Sequence, residues 1–98
     1  MQVTVFVPAA LRQYAAGERK VRVELAEPAT VERVFECLHG WHPGVVERTL
    51  DETWRQRQHV NIFVDGESIR AGSCLGLQTP VRAGTEVWII PAVSGGGF

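Results

Sequence analysis

No apolar run in this 98-residue chain approaches the length of a bilayer crossing. The opening "MQVTVFVPAA" has no basic stretch ahead of its apolar residues. It is read as a strand rather than a signal peptide, which places the protein in the cytoplasm. Cysteine is scarce: Cys37 and Cys74 form no C-x-x-C, and His39, His42 and His59 do not complete a zinc spacing with them. Two reduced, mostly buried thiols are expected, and no metal site. Charge of one sign is also lacking. Ten basic and 11 acidic residues leave a net charge of −1, which gives no reason to expect nucleic acid or an anionic membrane as partner. Hydrolase, phosphate-loop, dinucleotide and zinc-protease signatures are all missing. Nothing in the chain argues for a catalyst.

What is present is the pattern of one small domain. "QVTVFV" alternates, with Val3, Val5 and Val7 on one face and Thr4 and Phe6 on the other, and Pro8 ends it. "AALRQYAAGER" reads as a loop with a tight turn near Gly17. "KVRVEL" alternates again, turning Val21, Val23 and Leu25 inward, so the two runs form a hairpin. Val31, Val34, Phe35 and Leu38 then fall at helical spacing, with Thr30 as N-cap and Gly40 as the stop. One or two more helical turns fit after Pro43. Glu32 and Glu36 lie on the solvated side of that helix, and His39 and His42 take a cap or surface role at its end. "DETWRQRQ" is an exposed loop, its Trp54 folded back over the core edge and Arg55 and Arg57 solvated. "HVNIFVDGESIR" is a strand entering an Asp65-Gly66 turn. "AGSCLGLQTPVRAG" is irregular, and "TEVWIIPAV" is the last strand.

A lone main helix among mostly paired strands is an α+β arrangement. The expected fold is a β-grasp (ubiquitin-like) domain over residues 1–92. It has a mixed sheet of four to five strands, first and last strands central, and one main helix on one face. Residues 93–98 form a flexible tail. Val3, Val5, Val7, Ile62, Val64, Val87 and Ile89 then face the helix. Phe6, Phe63 and Trp88 fall together on the opposite face as a partner-docking patch. Two alternatives stand beside that patch: loop 8–19, with Tyr14, folds over it, or the register is one residue out.

The chain closes on Ser94, Gly95, Gly96, Gly97 and Phe98. Glycine without a Cβ threads narrow channels and adopts conformations closed to other residues. The residues from Val93 to Phe98, fully extended, reach roughly 20 Å. The run "VNIFVDGESIR…GLQTPVRAGTEVWIIPAVSGG", together with the opening "VTVFVPAALR", resembles the ubiquitin-like sulfur carriers of the MoaD/ThiS family. The cysteine-biosynthesis carriers of that family are the nearest in pattern. The resemblance implies a sulfur carrier and not an enzyme. An E1-like enzyme, using ATP and magnesium, adenylates the terminal glycine carboxylate, and sulfide or a persulfide converts it to a thiocarboxylate. A sulfur-accepting biosynthetic enzyme then takes the sulfur. Family members end at the diglycine, so Gly97 and Phe98 are expected to be removed from a precursor by a JAMM-type zinc metalloprotease. The mature terminus is then Gly96, with Gly97 as the other option. Two further readings remain open: a covalent protein modifier, and the small subunit of molybdopterin synthase.

Overall fold

A computed structural model describes residues 1–72 and 74–91. The expected tail residues Gly95, Gly96, Gly97 and Phe98 lie outside the described residues. The strands are β1 (Gln2–Phe6), β2 (Lys20–Glu24), β3 (Ala29–Thr30), β4 (Val60–Val64), β5 (Glu67–Ser68), β6 (Pro80–Val81) and β7 (Glu86–Pro91). Helices α1 (Val31–Trp41) and α2 (Pro43–Thr49) lie between β3 and β4.

Five strands form a mixed sheet in the order β2-β1-β7-β4-β5. The first and last long strands sit side by side in the middle of the sheet, as expected for a β-grasp, and run parallel. Their neighbours β2 and β4 are antiparallel to them. The alternation decides the two faces. Val3, Val5, Val7, Val21, Val23, Ile62, Val87 and Ile89 are buried on one side. They meet the α1 stripe of Val31, Val34, Phe35 and Leu38, each of them fully buried. Val64, expected among them, is half-buried at the margin of this core.

Three local features depart from the sequence reading. Helix α1 does not stop at Gly40 but runs through it to Trp41, with His42 as C-cap at φ −135°. The stop comes from Pro43, whose ring disfavours helical backbone at the residue before it. Pro43 then opens α2, where its missing N–H costs nothing. Thr30 does precede α1, but its side chain makes no capping bond. The start of α1 is tied instead by backbone pairing: β3 and β6 form a separate two-stranded sheet, and Val31 N donates to Thr79 O at 2.9 Å.

The stretch read as a loop after Pro8 contains a 3₁₀ helix, Ala9–Ala15, with Leu11 and Ala15 buried. Ala16 (φ +54°) and Gly17 (φ +81°) then make the turn into β2. This segment packs on the helix side of the sheet. A Cβ on Gly44 of α2 would stand 3.0 Å from Tyr14 Cβ, and the Arg48 guanidinium lies 3.6 Å from the Tyr14 ring centre. Tyr14 is therefore held under α2 and does not cover the opposite face.

Polar residues read as merely solvated also carry structure. Gln78 Nε2 donates to Glu32 Oε1 at 3.1 Å, joining α1 to the turn before β6. Arg57 donates from Nε and Nη2 to Glu47 O at 3.0 and 2.9 Å, closing loop 51–57 onto α2. Within that loop Asp51 Oδ1 accepts from Thr53 Oγ1, Thr53 N and Arg55 N at 2.6, 2.8 and 3.1 Å. The Thr53 hydroxyl, with the Arg55 N–H next, holds the Asp51 carboxyl below its usual 3.8. These bonds favour the charged form, so their stabilisation is present above the unfolded value and lost as pH falls through the depressed one. The melting-temperature gap between wild type and Asp51→Asn is therefore expected to be widest at about pH 6 and to close by about pH 2. A gap independent of pH would show that the Asp51 charge is not what the loop uses.

Candidate functional site

The face of the sheet away from the helices is built by the same alternation that builds the core. Phe6 on β1 and Phe63 on β4 are each in register with Trp88 on β7, so the three aromatics form one row across the three central strands. The register expected from the sequence is the one observed. Phe6 and Trp88 stack face to face, with ring centres 3.9 Å apart and planes 2° from parallel. Flanking them is Ile90, two residues on from Trp88 along the same strand, which the sequence reading did not single out. Trp88 and Ile90 remain 40% and 44% exposed, although they stand on the central strand of the sheet. Large apolar side chains left open at the middle of a sheet mark a contact surface more often than a scattered exposed leucine does.

The face also has a direction. Strand β7 runs from Glu86 to Pro91, and Ser94–Gly96 follow it in sequence. Next to the Pro91 end of β7 lies a cleft of about 490 Å³. Its apolar floor is Phe6, Trp88, Ile90 and Pro91, and Arg12, Arg19 and Lys20 contribute to its lining. At the other end of the sheet the Asp65-Gly66 turn uses left-handed backbone, φ +48° and +87°. Asp65 Oδ1 accepts from Glu86 N at 3.0 Å, which fixes the start of β7 against β4.

Other residues weighed from the sequence are not drawn into this face. Cys37 and Cys74 are half-buried, neither of them deep in the core. Cys37 packs against the core beneath α1, and Cys74 Sγ lies 3.3 Å from Glu67 Oε1. His39 sets its ring against Trp54, centres 5.9 Å apart, on the helix side. Trp54 is half-buried against the core, as its apolar ring required. Among the described residues no group of three or more His, Cys, Asp or Glu side chains is placed to hold a metal. Among them, too, no helix is long and apolar enough to cross a membrane.

A five-stranded mixed sheet with central parallel first and last strands, helices on one face and an apolar patch on the other is a ubiquitin-like β-grasp domain. The chain belongs to the ThiS family, which it matches over residues 5–96. Sulfur carrier protein CysO of Mycobacterium tuberculosis is 36% identical over 98 aligned positions, covering 98% of this chain and 100% of that protein. Small archaeal modifier protein 1 of Haloferax volcanii is 33% identical over 81 positions, covering 83% of this chain and 86% of that protein. The crystal structure of SAMP1 from the same organism superposes with a TM-score of 0.81 over 98% of this chain and 100% of its own, at 30% identity. A chain of the BexX/CysO complex of Amycolatopsis orientalis superposes with a TM-score of 0.82 over 96% of this chain and 99% of its own, at 33% identity.

Proposed function

We propose that this protein is a cytoplasmic sulfur carrier whose working group is the carboxylate of Gly96. The observation that carries the reading is the coincidence, at one end of the sheet, of the open aromatic face and the Pro91 end of β7, which the diglycine follows in sequence. A partner seated on Phe6, Phe63, Trp88 and Ile90 receives the tail in the same encounter. The similarity to CysO supports the sulfur chemistry.

In the proposed cycle the Gly96 carboxylate oxygen attacks the α-phosphorus of ATP on an E1-like enzyme, and magnesium pyrophosphate leaves. Sulfide then attacks the acyl carbon and AMP departs, leaving a thiocarboxylate for a sulfur-accepting biosynthetic enzyme. With a persulfide as nucleophile the first product is an acyl disulfide, and a thiol of the partner cleaves its S–S bond, forming a disulfide there and releasing the thiocarboxylate. Beyond the Gly96 carboxylate itself, the carrier contributes no acid, base or nucleophile to these steps. It supplies an unhindered acyl end and a surface that orients it. Residues beyond Gly96 keep its carboxylate in a peptide bond, so Gly97 and Phe98 are removed first by a JAMM-type zinc metalloprotease. The family match running to Gly96 supports that boundary.

The test compares the chain ending at Gly96 with the chain ending at Phe98 in ATP–pyrophosphate exchange by the E1-like enzyme. Exchange is expected with the shorter chain alone. Equal exchange with both would remove the need for processing, and exchange with neither would end the carrier reading. A second reading is favoured by the similarity to small archaeal modifier protein 1: transfer of the activated glycine to a lysine as an isopeptide. Isopeptide-linked products on other proteins would mark that route.

A further inference from the structure

The cleft beside Pro91 is one-sided in charge. Its lining holds three cations, Arg12, Arg19 and Lys20, and no carboxylate. Arg12 is partly committed, since its Nε donates to Val7 O at 3.1 Å. Arg19 and Lys20 are exposed, and among the described residues neither side chain enters an ion pair. Most carboxylates near this face lie at the other end; Glu18, next in sequence to Arg19, borders Lys20 but stands outside the cleft lining. Glu24 closes β2 opposite Gln2, Glu86 opens β7 opposite Thr4, and Asp65 sits in the turn beside Glu86. A protein with a net charge of only −1 thus carries a charge gradient along one sheet face, positive at the Pro91 end of β7.

From this gradient we propose that the cleft takes an acidic segment of the adenylating enzyme, located beside the mouth of the channel that admits the tail. An apolar side chain of that segment rests on Trp88, Ile90 and Pro91, and its carboxylates face Arg19 and Lys20. Complementary charge at the edge of an apolar contact speeds encounter and fixes register. Here it sets which end of the sheet meets the channel. A patch of aromatics alone could be approached from either direction along the strands, and only one direction delivers Gly96. The proposal rests on the carrier reading for the identity of the partner, and adds to it the chemistry by which that partner is recognised.

The test measures binding of the chain ending at Gly96 to a purified E1-like adenylating enzyme from the same organism. Arg19→Glu/Lys20→Glu is compared with Arg33→Glu/Arg82→Glu, which changes net charge equally but places both reversals outside the cleft. All four side chains are exposed, and circular dichroism confirms that each variant is folded. Reversal at the cleft is expected to weaken binding about tenfold or more, while reversal elsewhere changes it by less than about threefold. Raising salt from about 50 to about 300 mM should weaken the wild type and narrow that difference. Wild-type binding that both double variants retain, or lose equally, overturns the acidic-segment proposal and leaves the carrier reading standing. No binding by the wild type overturns both.

Discussion

Trp88→Glu is expected to reduce binding to the adenylating enzyme by at least about 30-fold, the effect of removing a contact worth about 2 kcal/mol at the centre of an interface. Trp88 stands on β7, the central strand, with Phe6 on one side and Phe63 on the other. It is the one residue in register with both, so a carboxylate there breaks the apolar surface at its middle. The fold should survive. Trp88 is 40% exposed, and what the folded state loses is mainly the Phe6 stack, worth about 0.5–1.5 kcal/mol beyond area burial. Titration calorimetry together with urea denaturation separates the two effects. Binding unchanged by the substitution would remove the aromatic row from the interface.

Phe35→Ala is expected to do the reverse, lowering folding stability by about 3–5 kcal/mol. Phe35 is the largest of the fully buried side chains and belongs to the α1 stripe that covers the sheet. Its removal leaves a cavity that backbone held by strands on one side and α1 on the other fills poorly. Small domains have about 5–15 kcal/mol in total, so the urea midpoint should fall steeply. At temperatures where the variant is still folded, binding to the adenylating enzyme should stay close to wild type, because Phe35 and Trp88 act on opposite faces of the sheet. A loss smaller than about 1 kcal/mol would mean the core relaxes around the site.

The parts of this structure legible in the sequence are those written in a short period. Val3-Val5-Val7 and Val87-Ile89 declare two strands with one buried face, and their alternates Phe6 and Trp88 must then share the other. The row they form with Phe63 follows once β1, β7 and β4 are neighbours. Val31, Val34, Phe35 and Leu38 declare α1 in the same way. Features set by a single residue against its neighbours were harder to read. Gly40 looks like a helix stop, yet Pro43 decides the end of α1 through the backbone of His42. Ala9–Ala15 shows only Leu11 and Ala15 buried, too few positions to announce a 3₁₀ helix. The β3–β6 pair has two residues in each strand and joins positions about 50 apart, leaving no local pattern to find. The cleft was illegible for a related reason. Arg12, Arg19 and Lys20 are unremarkable along the chain and become a cluster only when the 3₁₀ segment returns the chain to the edge of β1.

The central claim is that Gly96 carries the sulfur. The most direct measurement is intact and fragment mass spectrometry of the chain ending at Gly96, after incubation with the E1-like enzyme, ATP, magnesium and sulfide. Exchange of one oxygen for one sulfur, confined to the C-terminal fragment that holds Gly96, is the expected result. An unchanged mass from an enzyme shown to adenylate the chain, or Gly96 recovered only in isopeptide linkage to lysine, would contradict it.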